Sequence, residues 1–537
     1  MCSHSARLFL SCGHRYGQMI VFFRWQENAF FSVSVAVLYP GVAQRDRGGR
    51  EEEYRRRVGR ERLSATVMRW TDEMLTIDSD LRPRDLLPAI ELLWEASAPK
   101  IRAIDAAWPA GSGAPVFTVN GVYTARGWTE WTQGFQFGSA LLQFDATGDP
   151  AFLAMGRDAT QKRMAVHLTH LGVHDHGFNN VSTYGNLWRL AHEGRIETAD
   201  ADLASLELAL AVSGAIQAAR WTPIDGGGFI HSFNGPHSLF VDTIRSLRSL
   251  AVSHELGHVL MGEHDERISL LARLVDHARA TAKYAVYYGR GRDAYDVRGR
   301  TAHESIFNVS DGRYRCPNSQ QGWSPFTTWT RGLAWAMCGF AEQLEWIACR
   351  LDGELQPLGG RADIEGFMRE AALATCDFYL EHMPTDGIPY WDTGAPGLAR
   401  LDGHLDRPAD PYNPEEPVDS SAAAIGAQGL LRLGHYLSER GEPAGQRYWQ
   451  AGLTVARSLF SEPYLSTDSG HQGLLLHAVY HRPNGWDHVP EGQLVPNGES
   501  CMWGDYHLRE LALYIGRIAR GETYYSFFGS RGPNGHG

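Results

Sequence analysis

The 537-residue chain has too few cysteines, too little positive charge and too short an apolar run for three common kinds of protein. Its seven cysteines, at 2, 12, 316, 338, 349, 376 and 501, form no C-x-x-C pair and follow no regular spacing. That excludes a disulfide framework and leaves free thiols as the expectation. A net charge of −12 and a pI near 6.0 leave no excess of Lys and Arg to meet a phosphate backbone, so nucleic acid is not an expected partner. The N-terminal apolar run F-F-S-V-S-V-A-V-L is too short to span a membrane. It has no basic segment directly before it and no small-residue cleavage site directly after it, so it does not read as a signal peptide, and the expected location is the cytoplasm. Alternating β-branched runs are scarce, which excludes a large sheet.

What is present is helical. Apolar residues recur at three and four, as in Phe367, Ala371, Ala374, Phe378 and Leu380, or Ala424, Ala427, Leu430, Leu431 and Leu433. Turn signals such as T-G-D-P at 147–150 and T-D-G-I-P at 385–389 separate these segments. The stretch from 68 to 537 has room for about a dozen helices at ordinary helix and loop lengths, and six hairpins closed into an (α/α)6 toroid is the natural arrangement. Residues 1–67 differ: a patchy start, then the charge-dense R-D-R-G-G-R-E-E-E-Y-R-R-R-V-G-R-E-R, which reads as a poorly structured N-terminal extension. The 16 Trp and 21 Tyr suit both helical cores and sugar-stacking surfaces.

The segment from Ser253 to Glu266 contains His254-Glu255-Leu256-Gly257-His258. On a continuous helix the two histidines share a face and chelate zinc while the glutamate activates its water, and His264 stands where a third ligand belongs. Against a zinc protease, the extended motif wants Gly where Met261 stands, and in a chain with 23 histidines a chance H-E-x-x-H arises on the order of one time in twenty. The expected alternative is a helix ended by Gly262, a polar turn, and a second helix opened at Asp265 to Glu266 with Ile268, Leu271, Leu274 and Val275 on its apolar face.

Four other stretches are rich in polar and aromatic groups: W-T-E-W-T-Q-G-F at 128–135, V-H-D-H-G-F-N-N at 173–180, F-N-G-P-H-S-L-F-V-D at 233–242 and Q-G-W-S-P-F-T-T-W-T-R-G-L-A-W at 321–335. Asp242 precedes an amphipathic pattern and Asp175 a Gly-Phe turn. Taken singly, each reads as a helix-end or loop carboxylate. Likewise Arg331 alone reads as a surface ion pair, and the tryptophans as core.

Together the stretches carry a resemblance. W-T-R-G-L-A-W-A-M-C-G-F resembles the W-x-R-G-Q-A-W-x-x-x-G-F motif of the unsaturated glucuronyl hydrolases, glycoside hydrolase family 88. In the same order, H-D-H-G-F resembles that family's H-D-x-G-F, Y-W-D its Y-W-D, D-S-S-A-A-A-I its D-S-S-A-x-A-I, and W-G-D-Y at 503–506 its closing W-G-D-Y. The related unsaturated rhamnogalacturonyl hydrolases share much of this logic. The resemblance implies an (α/α)6 barrel without metal or organic cofactor, acting on an unsaturated uronic acid at the non-reducing end of a lyase-generated oligosaccharide. It implies Asp242 as general acid and base, Asp175 as the second essential aspartate, and Trp131, Phe233, His303, Gln321, Arg331 and Trp335 as substrate contacts. The chain departs from the pattern at Phe233, where the family has Trp, and at Pro417, where it has Tyr.

The chemistry follows from the substrate. A 4,5-unsaturated uronate is a vinyl ether: protonation at C4 creates an oxocarbenium at C5, water adds there, and the hemiketal opens to expel the aglycone. One carboxyl group serves both steps if it holds its proton near working pH, which burial and a like charge favour. Arg331 is expected to fork the uronate carboxylate, with Trp131 and Trp335 offering ring faces. Three other functions remain open: a related hydrolase of rhamnogalacturonan fragments or saturated uronides, an H-E-x-x-H zinc protease, and a non-catalytic sugar-binding toroid. Nothing in the sequence sets the oligomeric state.

Overall fold

A computed structural model describes residues 19–23, 33–37, 74–108, 111–126 and 131–529. The chain divides into two units, Met1–Trp70 and Thr71–Gly537. In the first, strand β1 (Met19–Phe23) pairs antiparallel with β2 (Val33–Val37). The rest of residues 1–67, expected to lack structure, lies outside the described residues, as do Trp128 to Glu130 of the first aromatic stretch.

The second unit is mostly helical. Its helices fall into two sets that differ in composition and burial. Thr330–Ala348, Ser420–Glu439 and Met502–Ala519 are buried along almost their whole length, most of their charged side chains included. Gln133–Thr147, the broken helix His176–His192 and the pair Thr243–Ser246 and Arg248–Glu255 are similarly enclosed. Helices with one polar face pack outside them: Pro150–Arg163 on Gln133–Thr147, Asp200–Ala219 on Arg248–Glu255, Arg361–His382 on Thr330–Ala348, and Ala444–Leu459 on Ser420–Glu439. Among the enclosed set, Ser420–Glu439 packs between Thr330–Ala348 and Met502–Ala519, and Met502–Ala519 returns to pack on Gln133–Thr147, the first helix of the set.

The enclosed helices bury charge as well as apolar surface. Arg245 pairs with Glu342 at 2.9 Å and Glu510 at 3.0 Å, and Arg432 with Glu345 at 2.7 Å, with every one of these side chains at or near zero exposure. Removing one member of such a network typically costs about 3–5 kcal/mol, because its partner's charge is left buried and unpaired.

Strands occur that the sequence pattern did not indicate. Two hairpins, β3 (Pro115–Val119) with β4 (Val122–Ala125) and β5 (Trp221–Ile224) with β6 (Gly227–Ile230), are short and local. β7 (Ser238–Phe240) instead joins a three-stranded antiparallel sheet whose other members, β10 (Glu304–Phe307) and β11 (Tyr314–Asn318), come much later in the chain. A third two-stranded ladder, β8 (Leu260–Met261) with β9 (Arg267–Ile268), replaces the expected helical turn.

Candidate active site

The three-stranded sheet assembles the site. β7 ends at Phe240 and delivers Asp242 two residues on. The antiparallel neighbour β10 begins just after His303, and the two chains are tied there by the Val241 amide donating to the His303 carbonyl at 3.0 Å. β11 runs back to the same edge and continues into Gln320 and Gln321, whose backbone amides both donate to Nδ1 of His303, at 3.0 and 3.2 Å. One sheet edge thus carries a carboxylate, an imidazole and an amide from three distant segments.

The second carboxylate arrives on a helix end. Asp175 precedes the short helix His176–Asn179 as Asp242 precedes Thr243–Ser246, and neither carboxylate caps its own helix. Cap roles, the ordinary reading of both residues, are therefore not what holds them. The start of the first helix abuts the end of the second because residue 177 is glycine: a Cβ there would lie 2.2 Å from the Ser246 carbonyl oxygen, and the Gly177 amide donates to Ser246 Oγ at 3.0 Å.

Between them the segments enclose a cavity of about 240 Å³. Asp175, Asp242, Trp131, Phe233, Gln321, Arg331 and Trp335 all line it, as the resemblance implied. His303 stands behind that wall, 2% exposed, bracketed by the rings of Phe240 at 4.5 Å and Trp329 at 4.6 Å. Burial pushes its imidazole down to about 4, so it is neutral, and its role is to hold the Gln320–Gln321 backbone. Trp131 rests against Trp503 at 4.8 Å, and Trp335 against Phe178 at 4.9 Å. Phe233 is the most exposed of the set at 36% and stacks on His174.

Arg331 requires a correction. Its side chain is 1% exposed, and its four terminal N–H groups are all committed: Nη1 to Asp419 at 2.8 Å and to the Val479 carbonyl, Nη2 to Gln321 Oε1 at 2.9 Å and to the Tyr480 carbonyl at 2.7 Å. Its guanidinium also lies over the rings of Trp329 and Trp503. No fork is left for a substrate carboxylate; the arginine instead orients the Gln321 amide and ties two chain segments behind the cavity.

The remaining motif residues are also supports. Asp392 of Y-W-D accepts from the Trp323 amide at 2.8 Å and pins the loop that carries Gln321. Asp419 of D-S-S caps its helix through the Ser421 amide at 3.1 Å while holding Arg331. Asp505 of W-G-D-Y gathers the Tyr123 hydroxyl at 2.9 Å and the Leu474 and Leu475 amides at 2.8 Å.

Pattern matching passed over Phe240, Gln320, Trp329, Tyr480, His481 and above all His174 in the cavity wall. His174 Nε2 lies 3.2 Å from Asp242 Oδ1 and 3.7 Å from Asp175 Oδ1. Burial opposes its protonation, but the charge of Asp175 and the hydrogen bond and charge of Asp242 outweigh burial and hold the imidazole above its ordinary range. The available signal was adjacency: His174 directly precedes Asp175 in the H-D-H-G-F stretch.

H-E-L-G-H folds otherwise than a zinc site needs. The helix ends at Glu255, not at Gly262. Gly257 takes a left-handed φ of 74°, its amide donates to the His254 carbonyl at 2.9 Å, and the His258 amide donates to the Ser253 carbonyl at 3.1 Å. That pair of bonds is a Schellman stop, and it puts His258 outside the helix that carries His254. Glu255 is paired with Arg350, and His254 Nε2 lies 3.7 Å from Glu354. The following helix starts at Leu270, capped by Ser269, so Asp265 and Glu266 belong to the preceding turn and Ile268 to β9. Among the described residues no group of three His, Cys, Asp or Glu is placed to hold a metal ion.

The chain is similar to known proteins over most of its length. No family model matches the chain. The unsaturated glucuronyl hydrolase of Bacillus sp. (strain GL1) is 27% identical over 404 residues, 74% of this chain and 88% of that protein. The unsaturated chondroitin disaccharide hydrolase of Streptococcus pyogenes serotype M1 is 26% identical over 396 residues, 72% of this chain and 81% of that protein. The crystal structure of the Bacillus sp. GL1 enzyme superposes with a TM-score of 0.61 at 22% identity, covering 83% of this chain and 99% of that one. The unsaturated glucuronyl hydrolases, glycoside hydrolase family 88, are thus distant homologues of this chain over most of its length.

Proposed function

We propose that this protein hydrates the C4=C5 double bond of an unsaturated uronic acid at the non-reducing end of lyase-generated oligosaccharides, and so releases the next sugar. The observation that carries the reading is the convergence of Asp175 and Asp242 on one imidazole in the wall of a cavity lined by aromatic rings. We also infer that the helices of the second unit close as six hairpins into an (α/α)6 toroid, which the return of Met502–Ala519 onto Gln133–Thr147 supports.

In this reading Asp242 gives its proton to C4, and the oxocarbenium at C5 is attacked by water, whose proton returns to Asp242. The hemiketal then opens and the aglycone leaves. Both carboxylates are largely buried, at 8% and 7% exposure, and line the cavity. The two carboxyl groups do not flank a glycosidic bond, so the spacing rule for ordinary retaining and inverting glycosidases does not apply. The uronate carboxylate meets the Gln321 amide, whose oxygen is held by Arg331 and whose NH2 group is thereby turned to donate elsewhere. Phe233, half open at the cavity wall, is placed to stack on the departing sugar.

The test is the loss of the ultraviolet absorbance of the C4=C5 chromophore across a panel of lyase-generated disaccharides from glycosaminoglycans and rhamnogalacturonan. Consumption of at least one glucuronyl disaccharide is expected. Turnover of saturated uronides only, or of none of the panel, contradicts the reading.

A further inference from the structure

We propose that His174 is a positioning residue of this reaction: its Nε2–H fixes Oδ1 of Asp242, leaves Oδ2 as the oxygen that delivers and retrieves the proton, and couples Asp242 to Asp175. The role rests on the hydrolase reading above and gives it a specific geometry.

The imidazole is held from every side. Its backbone carbonyl accepts from Gln217 Nε2 at 2.7 Å and from Ser246 Oγ at 2.8 Å, two side chains from different helices. Its ring lies edge-on to Phe240 at 5.6 Å and stacks on Phe233. At 2% exposure the ring is enclosed by these neighbours. Nε2 is the ring nitrogen that faces the carboxylates, and Nδ1 is buried without a hydrogen-bond partner.

The charges facing His174 define its state. Asp175 and Asp242 attract the proton; Arg220, bonded to the carbonyls of Leu171, His231 and Ser232, opposes it. The other imidazoles that sense it are neutral, His231 and His303 pushed down to about 4 and His277 to about 3 by burial. The proposed cycle starts with Asp242 carrying the proton that it will deliver and with the imidazole N–H already aimed at its Oδ1. When Asp242 passes its proton from Oδ2 to C4 it becomes a carboxylate, and the imidazolium N–H already bonded to Oδ1 stabilises that charge; when water adds to C5, its proton returns to Oδ2. No further reactant is needed.

Two variants of the full chain test this, on one unsaturated disaccharide that the unaltered protein consumes. H174Q keeps a neutral N–H donor of similar reach; H174L keeps bulk only. The expected kcat losses are about 10-fold for H174Q and about 1000-fold for H174L, with KM within about three-fold, since Nε2 is engaged by the two carboxylates. H174Q should also carry its activity to higher pH: removal of a cation favours the protonated form of the facing carboxyl group, so the alkaline limb moves up by about one unit. A merely structural histidine lowers activity equally at all pH. An unmoved limb in H174Q, or an unchanged kcat in either variant, overturns the proposal; if H174L fails to fold, the H174Q profile decides alone. Failure of the unaltered protein to consume any of the panel is a separate result, and it ends the hydrolase reading and this role with it.

Discussion

Two histidine–carboxylate stretches in this chain look equally chemical as letters, and folding treats them oppositely. In H-E-L-G-H the helix stops one residue after the first histidine, because Gly257 takes the left-handed turn that ends it, and the glutamate is consumed by Arg350. In H-D-H-G-F the glycine does the reverse: by lacking a Cβ at Gly177 it lets one helix press closely against another, so that Asp175 and Asp242 share His174. The lesson is that the spacing of ligands along a chain carries chemistry only if the backbone between them keeps its form. The glycine in each motif decides which way that goes.

The comparison is broken most directly at the second stretch's partner carboxylate. D242N preserves shape and removes the proposed proton donor, so turnover should fall by about 1000-fold or more while the thermal midpoint stays near that of the unaltered protein. A folded variant with near-normal rate moves the chemistry to another residue.

Next in size is Arg331. Because its donors hold Asp419, Gln321 and two backbone carbonyls, R331K should damage both activity and stability: roughly 10- to 100-fold in kcat/KM as Gln321 loses its anchor, together with a lowered unfolding midpoint. A lysine variant with intact stability but a large rise in KM alone would restore the fork to the substrate carboxylate.

E255Q sharpens the contrast from the other side. It leaves Arg350 without its nearly buried partner charge, at a cost of about 1–3 kcal/mol in denaturant unfolding, yet turnover should remain within a few-fold of normal. A severe rate loss without loss of stability would return H-E-L-G-H to the chemistry. Smallest of all is the expected effect of a chelator: none on the rate of chromophore loss, with zinc restoring nothing. Activity abolished by chelation and recovered with zinc alone contradicts the assignment.

Much of the helical scaffold was legible because its signals are local. In T-G-D-P, Gly148 ends one helix at a φ of 72°, Asp149 accepts from the Ala151 amide, and Pro150 begins the next, each letter having a role that depends only on its neighbours. The helices Arg361–His382 and Ser420–Glu439 follow their apolar spacing. The sheet that builds the site was not legible. β7 has three residues and all of them are buried, so there is no alternation to read, and its partners lie some sixty residues on with a buried Glu304 among them, satisfied by Ser238, Asn234 and Asn318. Arg331 was misread for the same reason: two of its acceptors are backbone carbonyls at Val479 and Tyr480, which no motif encodes. His174 was passed over because an imidazole beside an aspartate has no distinguishing pattern until a second aspartate arrives from another segment.

The central claim is that the Asp175–His174–Asp242 cluster, without metal, consumes an unsaturated uronide. The most direct measurement is the rate of chromophore loss on one glucuronyl disaccharide, with chelator present, for the unaltered protein and D242N side by side. The account predicts steady loss in the first and about a thousandth of that rate or less in a folded second. Equal rates in the two, or no loss in the first until zinc is added, would contradict it.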